Sequence, residues 1–218
     1  TVDMVEGQTA PSRQEGMPVL SEDLLRRMDV PGPRYTSYPT ADRFVEAFGP
    51  DQYVQALTQR ATGGVAGAGG PLSLYLHIPF CESVCYYCAC NKIVTRDHGR
   101  AEAYLAALTH ELDLVTNVIG REQPVSQLHF GGGTPTFLSD AELSGLMATL
   151  RSRVQLLPKG EYSIEIDPRT VTHDRLAHLA ELGFNRLSFG VQDFDADVQK
   201  AVHRIQPAEQ VHALMASA

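Results

Sequence analysis

The chain has 218 residues, 43% of them hydrophobic and 20% charged, and 18 basic against 26 acidic side chains leave a formal net charge of −8. That length supports one large core or two small ones. The acidity argues against a generic nucleic-acid binder, which needs clustered Lys and Arg, and no apolar run approaches the roughly 20 residues of a membrane span.

In chain order, residues 1–20 mix acids, Gly and Pro and lack the basic start and apolar centre of a secretory signal, so they are expected to be a flexible tail on a cytoplasmic protein. Ser21 is expected to cap a short helix with Glu22 and Asp23 in its first turn and Arg26 and Arg27 in its last, the charge order that the helix dipole favours. Pro31 to Thr40, rich in Pro and Tyr, is expected to be an extended arm. A helix over Asp51 to Arg60 and a Gly-rich linker over Gly63 to Gly70 complete an N-terminal region of residues 21–70.

From Pro71 strands alternate with helices. The expected strands are Leu72 to Ile78, Gln127 to Phe130, Tyr162 to Asp167 and Arg186 to Val191. The expected helices are Ala101 to Ile119, one opened by the capping box of Ser139 and Glu142, and Thr172 to Leu182 before Gly183. This alternation implies an α/β fold with a parallel sheet. Leu72, Leu74, Leu76 and Ile78 alternate with Ser73, Tyr75 and His77, and the third and fourth strands alternate in the same way. One face is apolar and suits a layer of helices; the other is polar. A doubly wound sheet buries both faces, and an ordinary barrel fills its interior with aliphatic side chains. A barrel lined for a polar ligand fits better, with a sheet wet on one face as the plainer alternative.

All four cysteines fall in the run Cys81-Glu-Ser-Val-Cys85-Tyr-Tyr-Cys88-Ala-Cys90, directly after the first strand. A disulfide framework would spread them along the chain, whereas clustering suits one metal centre in a reducing compartment. Three thiolates at C-x3-C-x2-C can ligate three irons of a cubane cluster and leave the fourth free. Four cysteines also suit structural zinc, although Cys88 and Cys90 are too close for a paired knuckle and no second pair follows.

The C-x3-C-x2-C loop after a first strand resembles the signature of radical S-adenosylmethionine (SAM) enzymes. Six segments narrow the resemblance: Gly32 to Phe44, Tyr75 to Cys81, Cys88 to Arg96, His129 to Leu138, Ser163 to Arg169 and Gly183 to Phe194 look like the oxygen-independent coproporphyrinogen III oxidases, also called coproporphyrinogen dehydrogenases. The resemblance runs from about Leu20 to the last residue and implies the following. Cys81, Cys85 and Cys88 ligate a [4Fe-4S] cluster whose fourth iron is chelated by SAM, and one electron then cleaves SAM to methionine and a deoxyadenosyl radical. Tyr75, Gly132 and Glu165 contact that SAM; Tyr87, Gly133, Thr134, Gln192 and Arg204 contact a second SAM molecule. Cys90 is not a ligand, and no residue is assigned to acid–base catalysis. From the residues alone, an ion pair with Arg186 on the neighbouring strand is a nearly equal reading of Glu165.

The implied reaction is oxidative decarboxylation of two propionates of coproporphyrinogen III to vinyls, giving protoporphyrinogen IX in anaerobic haem biosynthesis, with a flavodoxin-type electron donor and a monomeric enzyme. Arg34 is a candidate to grip a substrate carboxylate. The family core is an incomplete barrel of about six β/α units, of which residues 71–218 hold four strands. The chain is therefore expected to be an N-terminal part of the enzyme and inactive alone. The competing readings are a radical-SAM-like haem chaperone, against which the Gly32 to Phe44 arm and Cys90 speak, and a structural zinc module.

Overall fold

The computed structural model describes residues 21–30, 40–63 and 69–218. The expected tail, the arm with Arg34 up to residue 39, and residues 64–68 of the expected linker lie outside them.

The chain divides into a unit ending at Phe48 and a second unit, Gly49–Ala218. The first contains α1 (Glu22–Met28), capped as expected: the Ser21 hydroxyl accepts from the Leu24 N–H at 3.1 Å, and Arg26 pairs with Glu22 one turn away. The second opens with α2 (Pro50–Ala61), which lies against α3 (Gly99–Ile119).

The second unit is built on four parallel strands in the order β1 (Leu72–Ile78), β4 (Gln123–Gly132), β5 (Val154–Ile166) and β6 (Arg186–Phe189). Between β1 and β4, β2 (Phe80–Cys81) and β3 (Ile93–Val94) pair in parallel as a separate two-stranded sheet. Helices α3, α4 (Asp140–Arg151) and α5 (His173–Glu181) make the crossovers, and α6 (Ala196–Ala201) and α7 (Ala208–Ala216) follow β6. Strands of the main sheet that follow one another in sequence are neighbours in space. Crossovers of one hand then place every connecting helix on the same face, whereas a doubly wound sheet reverses direction and covers both.

Burial follows the alternation in the sequence. Leu76, Ile78, Leu128, Phe130, Ile164 and Ile166 are buried on the helix-covered face, packed with Leu143, Met147, Leu150 and Leu179. Full burial of each such side chain contributes about 1.5–3 kcal/mol. The opposite face carries Ser73, Tyr75, His77, Gln127, His129, Ser163, Glu165 and Ser188. The α/β fold with a parallel sheet and one polar face is as the sequence implies.

β5 is longer than expected. It pairs with β4 first through Val154 to Leu156 and again from Glu161, with a register shift between. Leu157 to Gly160 bulge out there, as Pro and Gly favour. The Tyr162 hydroxyl closes the bulge by donating to the Leu157 carbonyl at 2.5 Å.

Candidate cofactor site

The cysteine loop is anchored at both ends by the β2–β3 pair, directly after β1. Phe80 and Cys81 extend past its end and pair with Ile93 and Val94; the Ile93 N–H donates to the Pro79 carbonyl at 2.7 Å and the Thr95 N–H to the Cys81 carbonyl at 2.9 Å. The chain from Cys81 to Lys92 is thereby held as a loop at the carboxyl end of the sheet, where ligands of parallel α/β proteins bind. Lys92 ties it further, its ammonium donating to the Cys88 carbonyl at 3.1 Å.

A cavity of ≈ 370 Å³ opens at this end of the polar face. Cys81, Cys85 and Cys88 all line it, together with Tyr87, Gly132, Gly133, Thr134, Glu165, Gln192 and Arg204. Of the candidates drawn from the sequence, Tyr75 lies apart. It stands on the same face but lines a neighbouring cavity of ≈ 360 Å³ with His129 and Ser163.

The Gly131-Gly-Gly-Thr-Pro turn is packed against its own protein. A β-carbon at Gly133 would meet the Pro79 and Phe80 backbone at 2.7 Å, and one at Gly132, where φ is +113°, would meet the His77 ring at 2.7 Å. The Gly133 N–H donates to the Ile78 carbonyl and the Thr134 N–H to the Phe80 carbonyl, both at 2.8 Å. These contacts alone require glycine. They also bring Thr134 to Cys81, its hydroxyl donating to Sγ at 3.6 Å.

Glu165 projects from β5 into the cavity. Its Oε2 accepts from the Gly132 N–H at 3.2 Å and its Oε1 lies 3.3 Å from His129 Nε2. Arg186, the partner the residues alone would allow, pairs instead with Glu161 at 2.7 Å, because Glu161 lies on the same face nearer the start of β6.

Two charged residues that motif reading did not single out complete the site. Asp167, at the end of β5, is buried and pairs with Arg169 at 2.6 Å and Arg204 at 3.3 Å. Burial alone would push its carboxyl up; the Arg169 hydrogen bonds and the Arg204 charge outweigh this and hold it below the usual carboxylate range. Both guanidiniums reach Cys85 Sγ, Arg204 at 3.5 Å and Arg169 at 4.0 Å. The available signal was the Asp-Pro-Arg at the end of the third expected strand, with Asp167 on its polar side. Burial, opposed by the Arg204 charge, pushes the Tyr87 hydroxyl up to about 12, so it stays protonated as a donor.

The donor set suits the centre the sequence implies. Cys81, Cys85 and Cys88 are free thiols, half-buried in the wall of one cavity. Burial pushes the Cys81 thiol up, and coordination to a metal removes such a proton outright. Among the described residues no three His, Cys, Asp or Glu side chains are grouped as ligands of a single ion; thiolates that each take a different iron of a cubane need not converge on one point. Beside Cys85, the buried Arg204 has an Nε–H with no partner among the described residues.

A parallel sheet that opens its polar face at the carboxyl end, with three loop cysteines over a glycine turn, forms a site suited to a thiolate-ligated cofactor. The family model of the radical SAM superfamily matches residues 75–218, and the chain belongs to that superfamily. The superfamily implies a [4Fe-4S] cluster and SAM.

The chain is 54% identical over 198 residues to the oxygen-independent coproporphyrinogen III oxidase of Pseudomonas aeruginosa, covering 90% of this chain and 42% of that protein. It is 49% identical over 193 residues to the same enzyme of Escherichia coli, covering 88% and 40%. The solved structure of the E. coli coproporphyrinogen III oxidase, described as a radical SAM enzyme, matches with a TM-score of 0.76 over 84% of this chain and 41% of that one. The chain thus spans about two fifths of the length of these relatives, consistent with a partial barrel.

Proposed function

We propose that the protein to which this chain belongs oxidatively decarboxylates two propionate side chains of coproporphyrinogen III to vinyls, giving protoporphyrinogen IX: each propionate loses a hydrogen atom and carbon dioxide, and an external electron acceptor takes the remaining electron. The observation that carries this reading is the 54% identity to an oxygen-independent coproporphyrinogen III oxidase over nine tenths of the chain, cavity wall included. The P. aeruginosa and E. coli relatives are named as oxidases, which does not favour the haem-chaperone alternative.

Cys81, Cys85 and Cys88 hold the cluster. When bound, the cluster and SAM supply one-electron cleavage chemistry and the hydrogen abstraction that follows it. The remaining residues bind and orient. Glu165 accepts from ribose hydroxyls of a first SAM, with Gly132 and Tyr75 beside it. Tyr87, Gly133, Thr134, Gln192 and Arg204 hold a second, with the Arg204 guanidinium against its carboxylate. Asp167 fixes Arg204 and Arg169 beside Cys85. Arg34 grips a substrate carboxylate. The protein is a cytoplasmic monomer that takes electrons from a flavodoxin-type donor; among the described residues no helix is long and apolar enough to cross a membrane.

The test is anaerobic reconstitution of the intact protein with iron and sulfide, followed by turnover with SAM, reductant, an electron acceptor and coproporphyrinogen III. Vinyl product with two methionines released per substrate is expected. Haem binding without vinyl product would replace this reading by the chaperone.

A further inference from the structure

Glu165 is held by groups outside the cysteine cavity. His129, on β4, points one ring nitrogen at each of two β5 side chains: Nδ1 is 2.6 Å from Ser163 Oγ and Nε2 is 3.3 Å from Glu165 Oε1. The other face of the ring is occupied, since Tyr75 of β1 stacks on it with centroids 5.7 Å apart and planes 19° apart. Tyr75 is itself fixed. The Asn91 carbonyl 2.7 Å from His77 Nε2 can only accept, so Nε2 carries a proton; in the neutral ring Nδ1 then accepts from the Tyr75 hydroxyl at 3.2 Å.

The same reasoning orders the His129 bonds. An ionised Glu165 can only accept, and its Oε2 already accepts from Gly132, so His129 Nε2 donates to Oε1. In the neutral ring Nδ1 is then an acceptor, and the Ser163 hydroxyl supplies its one hydrogen there at 2.6 Å rather than to the Leu128 carbonyl at 3.3 Å. Ser163 is 6% exposed, so it is a fixed donor.

Gly131 makes room for this meeting. A β-carbon there would lie 3.0 Å from His129 Nε2, 3.0 Å from Tyr75 Cε2 and 3.1 Å from Glu165 Cδ. The first glycine of the turn therefore serves three side chains from three adjacent strands.

We propose that His129 is a positioning residue: held by Ser163 and Tyr75, it donates from Nε2 to Glu165 and fixes that carboxylate, with the Gly132 amide, in the orientation that receives SAM. This rests on the reading of Glu165 as a SAM-binding group. A carboxylate held by two donors on the protein side loses less rotamer freedom when a ligand's hydroxyls arrive.

The experiment uses the intact protein with its cluster reconstituted, and measures SAM affinity by equilibrium dialysis without reductant. His129→Leu is expected to weaken SAM about tenfold, and His129→Gln, which keeps an N–H donor, to recover part of the loss. The double variant His129→Leu/Glu165→Gln is expected to bind no more weakly than Glu165→Gln alone, because one group acts through the other. Nitrogen-15 NMR of histidine-labelled protein without cluster or SAM is expected to show Nε2 protonated and Nδ1 bare, and Ser163→Ala to weaken that preference without abolishing it, because Glu165 still accepts from Nε2. Should His129→Leu fail to fold, His129→Gln and Ser163→Ala carry the same comparison. Weakening by Glu165→Gln alongside unchanged affinity in His129→Leu, or fully additive losses, overturns the positioning role and leaves the Glu165 reading intact. Unchanged affinity in Glu165→Gln removes that reading, and the role of His129 with it.

Discussion

The imidazole of His203 lies flat against the ring of Tyr86, with centroids 5.2 Å and planes 14° apart, although the two residues are far apart in sequence. Around this stack the segment after α6 grips the cysteine loop. The Tyr86 N–H donates to the Val202 carbonyl at 3.1 Å, and His203 Nδ1 lies 2.9 Å from the Val84 carbonyl. His203 reaches this position with φ of +56°, a left-handed conformation that a non-glycine residue adopts only under constraint. His203→Asn tolerates the same backbone but removes the stack. It is expected to weaken the grip by about 1 kcal/mol, read as roughly fivefold faster hydrogen exchange at the Tyr86 amide of the intact protein. Unchanged exchange would show that the backbone bond alone holds the loop.

The turn glycines are expected to differ sharply from the one in α4. Gly133→Ala places a β-carbon against backbone atoms that cannot yield, and is expected to cost about 1–3 kcal/mol. Gly145, inside α4, has open space where its β-carbon would stand. Gly145→Ala is expected to stabilise by about 0.5–1 kcal/mol through helix propensity. Urea midpoints of the two variants should move in opposite directions.

Asp167 makes stability depend on acid. Its carboxyl is held below the ordinary value of 3.8, so its stabilising contribution is complete above that value and is lost as pH falls through the lower folded value. Asp167→Asn leaves Arg204 buried without a counter-charge and is expected to cost about 3–5 kcal/mol at pH 7. The gap between wild type and variant in urea denaturation should narrow below about pH 4. A constant gap would assign the effect to packing instead.

Gln206 is 1% exposed, and neither atom of its side-chain amide has a partner among the described residues, although its backbone exchanges two bonds of 3.0 Å with the Gln199 side chain. Gln206→Met keeps the length of the side chain and removes the unsatisfied amide. It is expected to raise stability by about 1 kcal/mol by thermal denaturation, whereas Gln199→Ala, which orphans two buried backbone groups, is expected to lower it by about 1–3 kcal/mol.

What the sequence made legible were features whose cause is local. β1 has the expected bounds because Leu72 to Ile78 alternates without a break, and the Ser139–Glu142 box opens α4, with Ser139 N–H donating to Glu142 at 2.7 Å. The first half of β5 was hidden because Pro158 and Gly160 interrupt it, and β2 and β3 because two residues carry no period. In the site, cysteines and glycines announce themselves by spacing. The partners of Glu165 do not: His129 lies 36 residues away and meets it only through strand register. Arg169 and Arg204 likewise converge on Asp167 only once β5 and the segment after α6 are in place.

The order β1, β4, β5, β6 also bears on how the chain is made. Cross-strand contacts Ser73–Gln127, His129–Ser163 and Glu161–Arg186 span 54, 34 and 25 residues, each strand of the main sheet docking on the main-sheet strand synthesised before it. A chain leaving the ribosome amino end first can therefore assemble this sheet by accretion: among the described residues, β1, β4 and β5 each find their next partner in the next strand of the main sheet to emerge.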